Sequence, residues 1–154
     1  MAITFYREVK FNFSSSREIA TYLKETHLDT QTIVASEAPQ ASAILPYLGQ
    51  KEFWYPEIDA FGSYLVFNKK GRMPGLSNDE VLTAVAKRPE ILKDALLLLT
   101  TPLAAGHLKN YRLIFSSDLT RTVEGFGHGA HNSNDEVYFL YSTTPLLSSK
   151  PNRP

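Results

Sequence analysis

The sequence predicts an α/β protein, a layered α/β sandwich with a mixed, mainly parallel sheet and a C-terminal antiparallel hairpin. Residues 32–67 read in β-α-β-β order, as TIVASE, APQASAILPYL, EFWYP and GSYLVF. The apolar run at 95–99 has the length of a buried strand. Two strand-like segments near the end of the chain are joined by a loop, which favours antiparallel pairing.

The first predicted elements are a helix and a short strand. The serines at 14–16 precede residues 17–27, where apolar side chains recur at helical spacing, so a serine-capped helix is expected there. Residues 32–35 are rich in β-branched side chains, which favours a strand.

A second helix and two strands follow. Pro39 suits the first turn of a helix, and Pro46 should kink or end that helix because proline lacks the backbone N–H that the helix needs. Residues 52–55 and 63–67 are predicted to be strands around a turn.

The middle of the chain holds the best-defined helix start. Ser77 and Glu80 have the spacing of a capping box, in which each side chain binds a backbone N–H of the other's turn. Residues 95–100 predict a buried strand, although a helical continuation fits almost as well. Residues 103–109 predict a short helix.

The hairpin comes last. Residues 111–115 and 136–141 are its predicted strands, and the glycine-rich segment GFGHGAHNSND lies between them. We expect residues 1–147 to form one domain and residues 148–154, SSKPNRP, to be a flexible tail.

The amino-acid composition excludes several classes of function. Sixteen Lys plus Arg balance sixteen Asp plus Glu, so no net charge attracts a nucleic acid, and we expect none as a partner. The chain has no cysteine, which excludes disulfides, thiolate catalysis and cysteine-bound metal clusters. The longest apolar run, at 95–99, is far below the roughly 20 residues that cross a bilayer.

Two pairs of residues are candidate ligand contacts. Ser36 and Glu37 follow a predicted strand at the edge where open α/β sheets bind ligands, and the structural alternative for them is helix capping. Trp54 and Tyr55 are candidates for an aromatic platform on which a sugar ring stacks, and the alternative for them is core packing.

His128 and His131, close to Asp135 and Glu136, have the residue types of metal ligands. Because the glycines around them favour a mobile loop and metal sites need fixed ligands, we predict no metal and no cofactor. The two histidines stay candidate ligand contacts.

Two catalytic patterns are incomplete. A serine hydrolase elbow at Ser77 lacks the second glycine of its motif. The segment from Ser116 to Thr120 is similar to the aspartate loop of haloacid-dehalogenase-type phosphatases, but Ser116 stands where the nucleophilic aspartate is required. We therefore predict no catalytic residue.

The order of elements over residues 11–142 resembles the soluble C-terminal domain of certain bacterial polytopic membrane proteins. The resemblance is carried by FSSSREIATYLKE, TIVASEAPQASAILPYL, KEFWYPEIDAFGSYLVFNKK and EVYFLYST. These proteins are related to protein mannosyltransferases, which are membrane glycosyltransferases that use lipid-phosphate-sugar donors.

The resemblance implies an accessory or acceptor-recognition domain without activity of its own. Its partners would be the upstream membrane domain of the same polypeptide and a glycan or polyprenyl-phosphate-sugar. Met1 would then mark the boundary of an excised domain on the extracytoplasmic side of the membrane, with Trp54, Tyr55 or residues 125–135 as contacts. The alternative is a free-standing cytoplasmic α/β module that binds a small ligand or a protein.

Overall fold

The computed structural model describes residues 15–49, 52–63, 75–117 and 137–143. The helices are α1 (Ser16–Glu25), α2 (Ala38–Ser42), α3 (Asn78–Ala86) and α4 (Pro89–Leu92). The strands are β1 (Ile33–Ala35), β2 (Phe53–Tyr55), β3 (Ala60–Gly62), β4 (Leu96–Leu99), β5 (Arg112–Ser116) and β6 (Phe139–Ser142). Two 3₁₀ turns cover Leu45–Tyr47 and Ala105–His107.

The described strands form one mixed sheet in the order β3-β2-β1-β4-β6-β5. β1 is parallel to both β2 and β4, and this trio is the parallel core of the sheet. The outer pairs, β2 with β3, β4 with β6 and β5 with β6, are antiparallel. The predicted α/β class, mixed sheet and C-terminal antiparallel hairpin are confirmed.

Apolar side chains cover both faces of the central strands. β4 reads LLLL and is buried along its whole length, as expected for a strand between two helical layers. Leu96 and Leu98 point to the layer of α1 and α2, and Leu97 points to the layer of α3. Each layer contributes its own apolar stripe, with Ile19, Leu23 and Ile44 on the first side and Val81, Leu82 and Val85 on the second.

The capping box at the start of α3 is confirmed. The Ser77 hydroxyl accepts a hydrogen bond from the backbone N–H of Glu80, and the Glu80 carboxylate accepts one from the Ser77 N–H at 2.8 Å. At α1 the prediction differs from the structure, because the Ser15 side chain makes no cap hydrogen bond. Ser16 is buried instead, and its hydroxyl lies 3.0 Å from the hydroxyl of Tyr138.

Several boundaries also differ from the prediction. α2 is short and is followed by a 3₁₀ turn around Pro46, because a proline cannot donate the hydrogen bond that would continue the helix. β3 lies at residues 60–62, just before the strand predicted at 63–67, of which residues 64–67 lie outside the described part of the chain. Residues 105–107 form a 3₁₀ turn where a short helix was predicted.

None of the helices in the described ranges has the length and apolar composition needed to cross a lipid bilayer. The predicted tail at 148–154 and the glycine-rich segment at 125–135 lie outside those ranges.

Candidate functional site

The carboxyl edge of the parallel trio is where the topology places a ligand. After β1 the chain turns into α2 on one face of the sheet, whereas after β4 it runs to Leu103, which packs on the opposite face. Because the two connections diverge from neighbouring parallel strands, they leave a switch point, the position at which open α/β sheets bind their ligands.

Ser36 and Glu37 lie at this edge, as predicted. Ser36 is buried, with 4% of its surface exposed, and its N–H donates to the carbonyl of Leu98 at 3.2 Å. Glu37 has φ 58° and ψ 63°, which is the left-handed region that residues other than glycine seldom adopt. The left-handed residue turns the chain sharply from β1 into α2.

A third residue, Glu57, holds this turn in place. One of its carboxylate oxygens, Oε1, accepts a hydrogen bond from Ser36 Oγ at 2.8 Å and a second from the Glu37 N–H at 2.9 Å. Neither Ser36 nor Glu37 caps α2 with its own side chain. Glu57, in the segment after β2, instead binds the N–H of the N-cap residue Glu37 and so fixes the turn that leads into α2.

The same geometry argues against nucleophilic catalysis at Ser36. An activated serine needs an accessible hydroxyl and a general base that is free to take its proton. Ser36 is buried, and the Glu57 oxygen that it contacts already accepts a hydrogen bond from Glu37. The hydrogen bonds of Glu57 therefore hold the loop between β1 and α2 in place.

Two buried polar atoms at the end of β2 and just after it have no hydrogen-bond partner among the described residues. They are the phenol oxygen of Tyr55 and the second carboxylate oxygen of Glu57, Oε2. Burial raises the pKa of the Tyr55 phenol, and the nearby Glu57 carboxylate raises it further. Tyr55 is therefore a neutral phenol at physiological pH.

The aromatic platform predicted at Trp54 and Tyr55 is not present at the surface. Each residue exposes 3% of its surface, because β2 lies inside the sheet and is covered by helices on both faces. Trp54 packs in the α3 layer and Tyr55 in the α1 layer, where its ring meets Phe53 edge-on. Core packing is the role that the structure gives Trp54.

Most of the other candidate residues lie in parts of the chain that the structure does not describe. His128 and His131 lie outside the described residues, as does Asp118 of the phosphatase-like segment. Ser116 is described and buried, and its hydroxyl has no hydrogen-bond partner within the described ranges. Within the described ranges, no three side chains of the His, Cys, Asp and Glu types gather closely enough to hold a metal ion.

A groove between α1 and β5 is a second candidate site. Its volume is about 490 Å³, and it is lined by Arg17, Glu18, Thr21, Tyr22, Glu25 and Phe115. The Tyr22 and Phe115 rings pack with their centroids 4.9 Å apart and are both partly buried against the core. These two rings are the aromatic floor of the groove.

The rim of the groove offers donors and acceptors side by side. Arg17 can donate hydrogen bonds, and the Glu18 and Glu25 carboxylates can accept them. The Thr21 hydroxyl donates its proton to the Arg17 carbonyl at 2.9 Å, so it can only accept a bond from a ligand. None of the ion pairs among the described residues involves these side chains.

Sequence reasoning missed both Glu57 and the groove. Glu57 follows β2, and Ser36 follows β1, so both lie at the carboxyl edge of the same parallel pair. This position could have indicated Glu57, but only if the pairing of β1 with β2 had been known. For the groove, Tyr22 lies in the segment 17–27 whose apolar spacing predicts a helix. Its pairing with Phe115 joins elements that are far apart in the chain.

The chain shows no match to any protein-family model, and no curated protein or solved structure is significantly similar to it.

Proposed function

We propose that this chain is a recognition domain that binds a neutral, hydroxyl-rich ligand such as a glycan, and that it has no catalytic activity of its own. The observation that carries the proposal is the α1–β5 groove, in which an aromatic floor is bordered by hydrogen-bond donors and acceptors. In this proposal the groove has the role that the sequence predicts for Trp54 and Tyr55.

The chemistry of the groove favours a sugar over an anion. A pyranose ring has an apolar C–H face that packs on aromatic rings, and its hydroxyls both donate and accept hydrogen bonds. The rim carries two carboxylates against one guanidinium, so it opposes a phosphate. If the ligand is a lipid-phosphate-sugar, the groove would bind its sugar and leave the phosphate elsewhere.

The resemblance to mannosyltransferase-related proteins supplies a setting for this proposal. In that setting the domain lies on the extracytoplasmic side of a membrane and presents an acceptor glycan to the upstream membrane domain of the same polypeptide. An antibody against the domain tests it in the source cells. A membrane-bound product much larger than 17.3 kDa agrees with this setting, and a soluble product of 17.3 kDa contradicts it.

The alternative is a free-standing α/β module that binds its ligand at the carboxyl edge of the sheet. The observation that favours it is the second carboxylate oxygen of Glu57, next to Ser36 and Glu37, which is buried and has no partner in the part of the chain that the structure describes. NMR separates the two, because ligand-induced shifts at residues 17–25 indicate the groove and shifts at residues 36–37 and 57 indicate the sheet edge.

The direct test is a titration of the folded domain with a panel of methyl glycosides, with inorganic phosphate as the charged control. We expect binding of at least one glycoside and none of phosphate. Tyr22→Leu keeps an apolar contact with the core but removes the ring, and losing an aromatic contact of about 0.5–1.5 kcal/mol weakens Kd by a factor of about 2–10. The matched control is Tyr47→Leu, at a tyrosine that is 45% exposed and outside the groove lining.

Two results would overturn the proposal. The first is the absence of binding to every glycoside by a domain shown to be folded. The second is equal affinity of the wild type and the Tyr22→Leu variant.

A further inference from the structure

The groove between α1 and β5 has a carboxylate on either side of Tyr22 along the helix. Glu18, Tyr22 and Glu25 are four and three residues apart on α1, so they follow one another along a single face of the helix. All three line the groove, so this is the face of α1 that a bound ligand meets. Tyr22, part of the aromatic floor, therefore lies about one helical turn from each carboxylate.

The helix sets how far apart the two carboxylates are. The seven-residue step from Glu18 to Glu25 corresponds to about 10.5 Å along the helix axis, at a rise of about 1.5 Å per residue. The two positions differ by only about 20° around the axis, because this step is almost two full turns. If each carboxylate accepts a ligand hydroxyl at an oxygen–oxygen distance of about 2.7 Å, about 5 Å is left between the two ligand oxygens.

This remaining length selects the size of the ligand. It matches the separation of two hydroxyl oxygens on opposite sides of one pyranose ring, whereas the end hydroxyls of a disaccharide lie much farther apart. A single ring that spans the two carboxylates lies lengthwise over Tyr22, where its apolar C–H face meets the aromatic floor. Because a carboxylate only accepts hydrogen bonds, each end of the ring needs a hydroxyl that donates one.

The two carboxylates differ in their surroundings. Glu18 is half-buried and Glu25 is exposed. Neither forms an ion pair with another described residue, so no cation in that part of the chain competes with a ligand for them. Since a hydrogen bond is stronger where less water surrounds it, Glu18 should make the stronger bond to a ligand.

We propose that Glu18 and Glu25 are the specificity-determining residues of the groove, and that they bind hydroxyls on opposite sides of one pyranose ring that lies over Tyr22. The inference rests on the glycan-binding function proposed above. It names the part of the glycan that the groove recognises, which is a single hexopyranose unit with free hydroxyls at both ends.

Isothermal titration calorimetry with the methyl hexopyranoside that binds most tightly is the first test. We expect Glu18→Ala to weaken Kd about ten-fold and Glu25→Ala about two- to five-fold, because each variant loses one acceptor. Alanine is the best helix former, so both variants should keep the fold. Glu52→Ala removes the same charge from an exposed position outside the groove lining and should leave Kd unchanged.

Monodeoxy analogues of the same glycoside identify the hydroxyls. We expect two analogues, which lack hydroxyls on opposite sides of the ring, to bind the wild type more weakly than the parent glycoside does. Glu18→Ala should remove this difference for one analogue and Glu25→Ala for the other, because a double-mutant cycle is non-additive only for groups in contact.

The results separate this inference from the function on which it rests. If no glycoside binds the folded domain, both fail. If a glycoside binds and Tyr22→Leu weakens its binding, but Glu18→Ala and Glu25→Ala both bind it as the wild type does, the glycan function stands and the assignment of the two carboxylates is overturned. The single-ring spacing is wrong if only a disaccharide gains affinity from both carboxylates.

Discussion

Replacing Glu57 with alanine removes the side chain that fixes the turn from β1 into α2. The carboxylate accepts two hydrogen bonds, from Ser36 Oγ at 2.8 Å and from the Glu37 N–H at 2.9 Å. A hydrogen bond to a charged group contributes about 1.5–3 kcal/mol to stability, and the half-buried setting places each bond at the lower end of that range. Because two such bonds are lost, we expect Glu57→Ala to lower the free energy of unfolding by about 3 kcal/mol.

Denaturant unfolding followed by circular dichroism measures this loss. Glu57→Gln keeps an oxygen that accepts both bonds but loses the charge, so it should cost only about 1 kcal/mol. Glu52→Ala, at an exposed position just before β2, is the matched control and should stay within about 0.5 kcal/mol of the wild type. The reasoning is refuted if Glu57→Ala unfolds within the same margin as Glu52→Ala.

Three further perturbations test individual contacts. Ser77→Ala removes the capping box and should cost about 1 kcal/mol of unfolding free energy, whereas Ser77→Gly should cost a few tenths; equal losses would contradict the assignment. The hydrogen bond and charge of Arg88 lower the pKa of Asp59 below its usual 3.8, so the stability from this pair is present above that value and is lost as the pH falls through the folded-state pKa. Asp59→Asn should therefore flatten the dependence of unfolding free energy on pH below about pH 4, and an unchanged slope there would show that the pair contributes nothing. The buried N–H of Leu103 donates to the Tyr141 hydroxyl at 2.9 Å, and Tyr141→Phe removes this acceptor. The variant should lose about 1–3 kcal/mol of unfolding free energy in a thermal or denaturant measurement. Stability equal to the wild type would mean that the N–H finds another partner.

Local signals in the sequence were sufficient for the fold class. The run at 95–99 predicted β4 because a strand covered on both faces must be apolar at every position. The capping box at Ser77 placed the start of α3 because its two hydrogen bonds involve residues three apart. Both features depend on neighbouring residues, so the sequence carries them directly.

The candidate site was predicted only in part, because its contacts join distant segments. Ser36 and Glu37 were placed correctly at the sheet edge from their position after β1. Their partner Glu57 is 21 residues from Ser36 along the chain, and nothing in a single sequence indicates that contact. For Trp54, core packing, the alternative to an aromatic platform, is what the structure shows, because the residue packs in the α3 layer, which the sequence does not assign to it.

The position of β4 in the sheet has a consequence for synthesis on the ribosome. β4 is flanked by β1, which precedes it in the chain, and by β6, which is among the last described residues to be translated. Until β6 is complete, a nascent chain that has already paired β4 with β1 has no strand on the other edge of β4. Its four leucines then lie beside a row of backbone N–H and C=O groups without hydrogen-bond partners. Uncharged apolar strand edges of this kind pair readily with other chains. The interval between translation of β4 and β6 is therefore the period in which this protein most needs a chaperone.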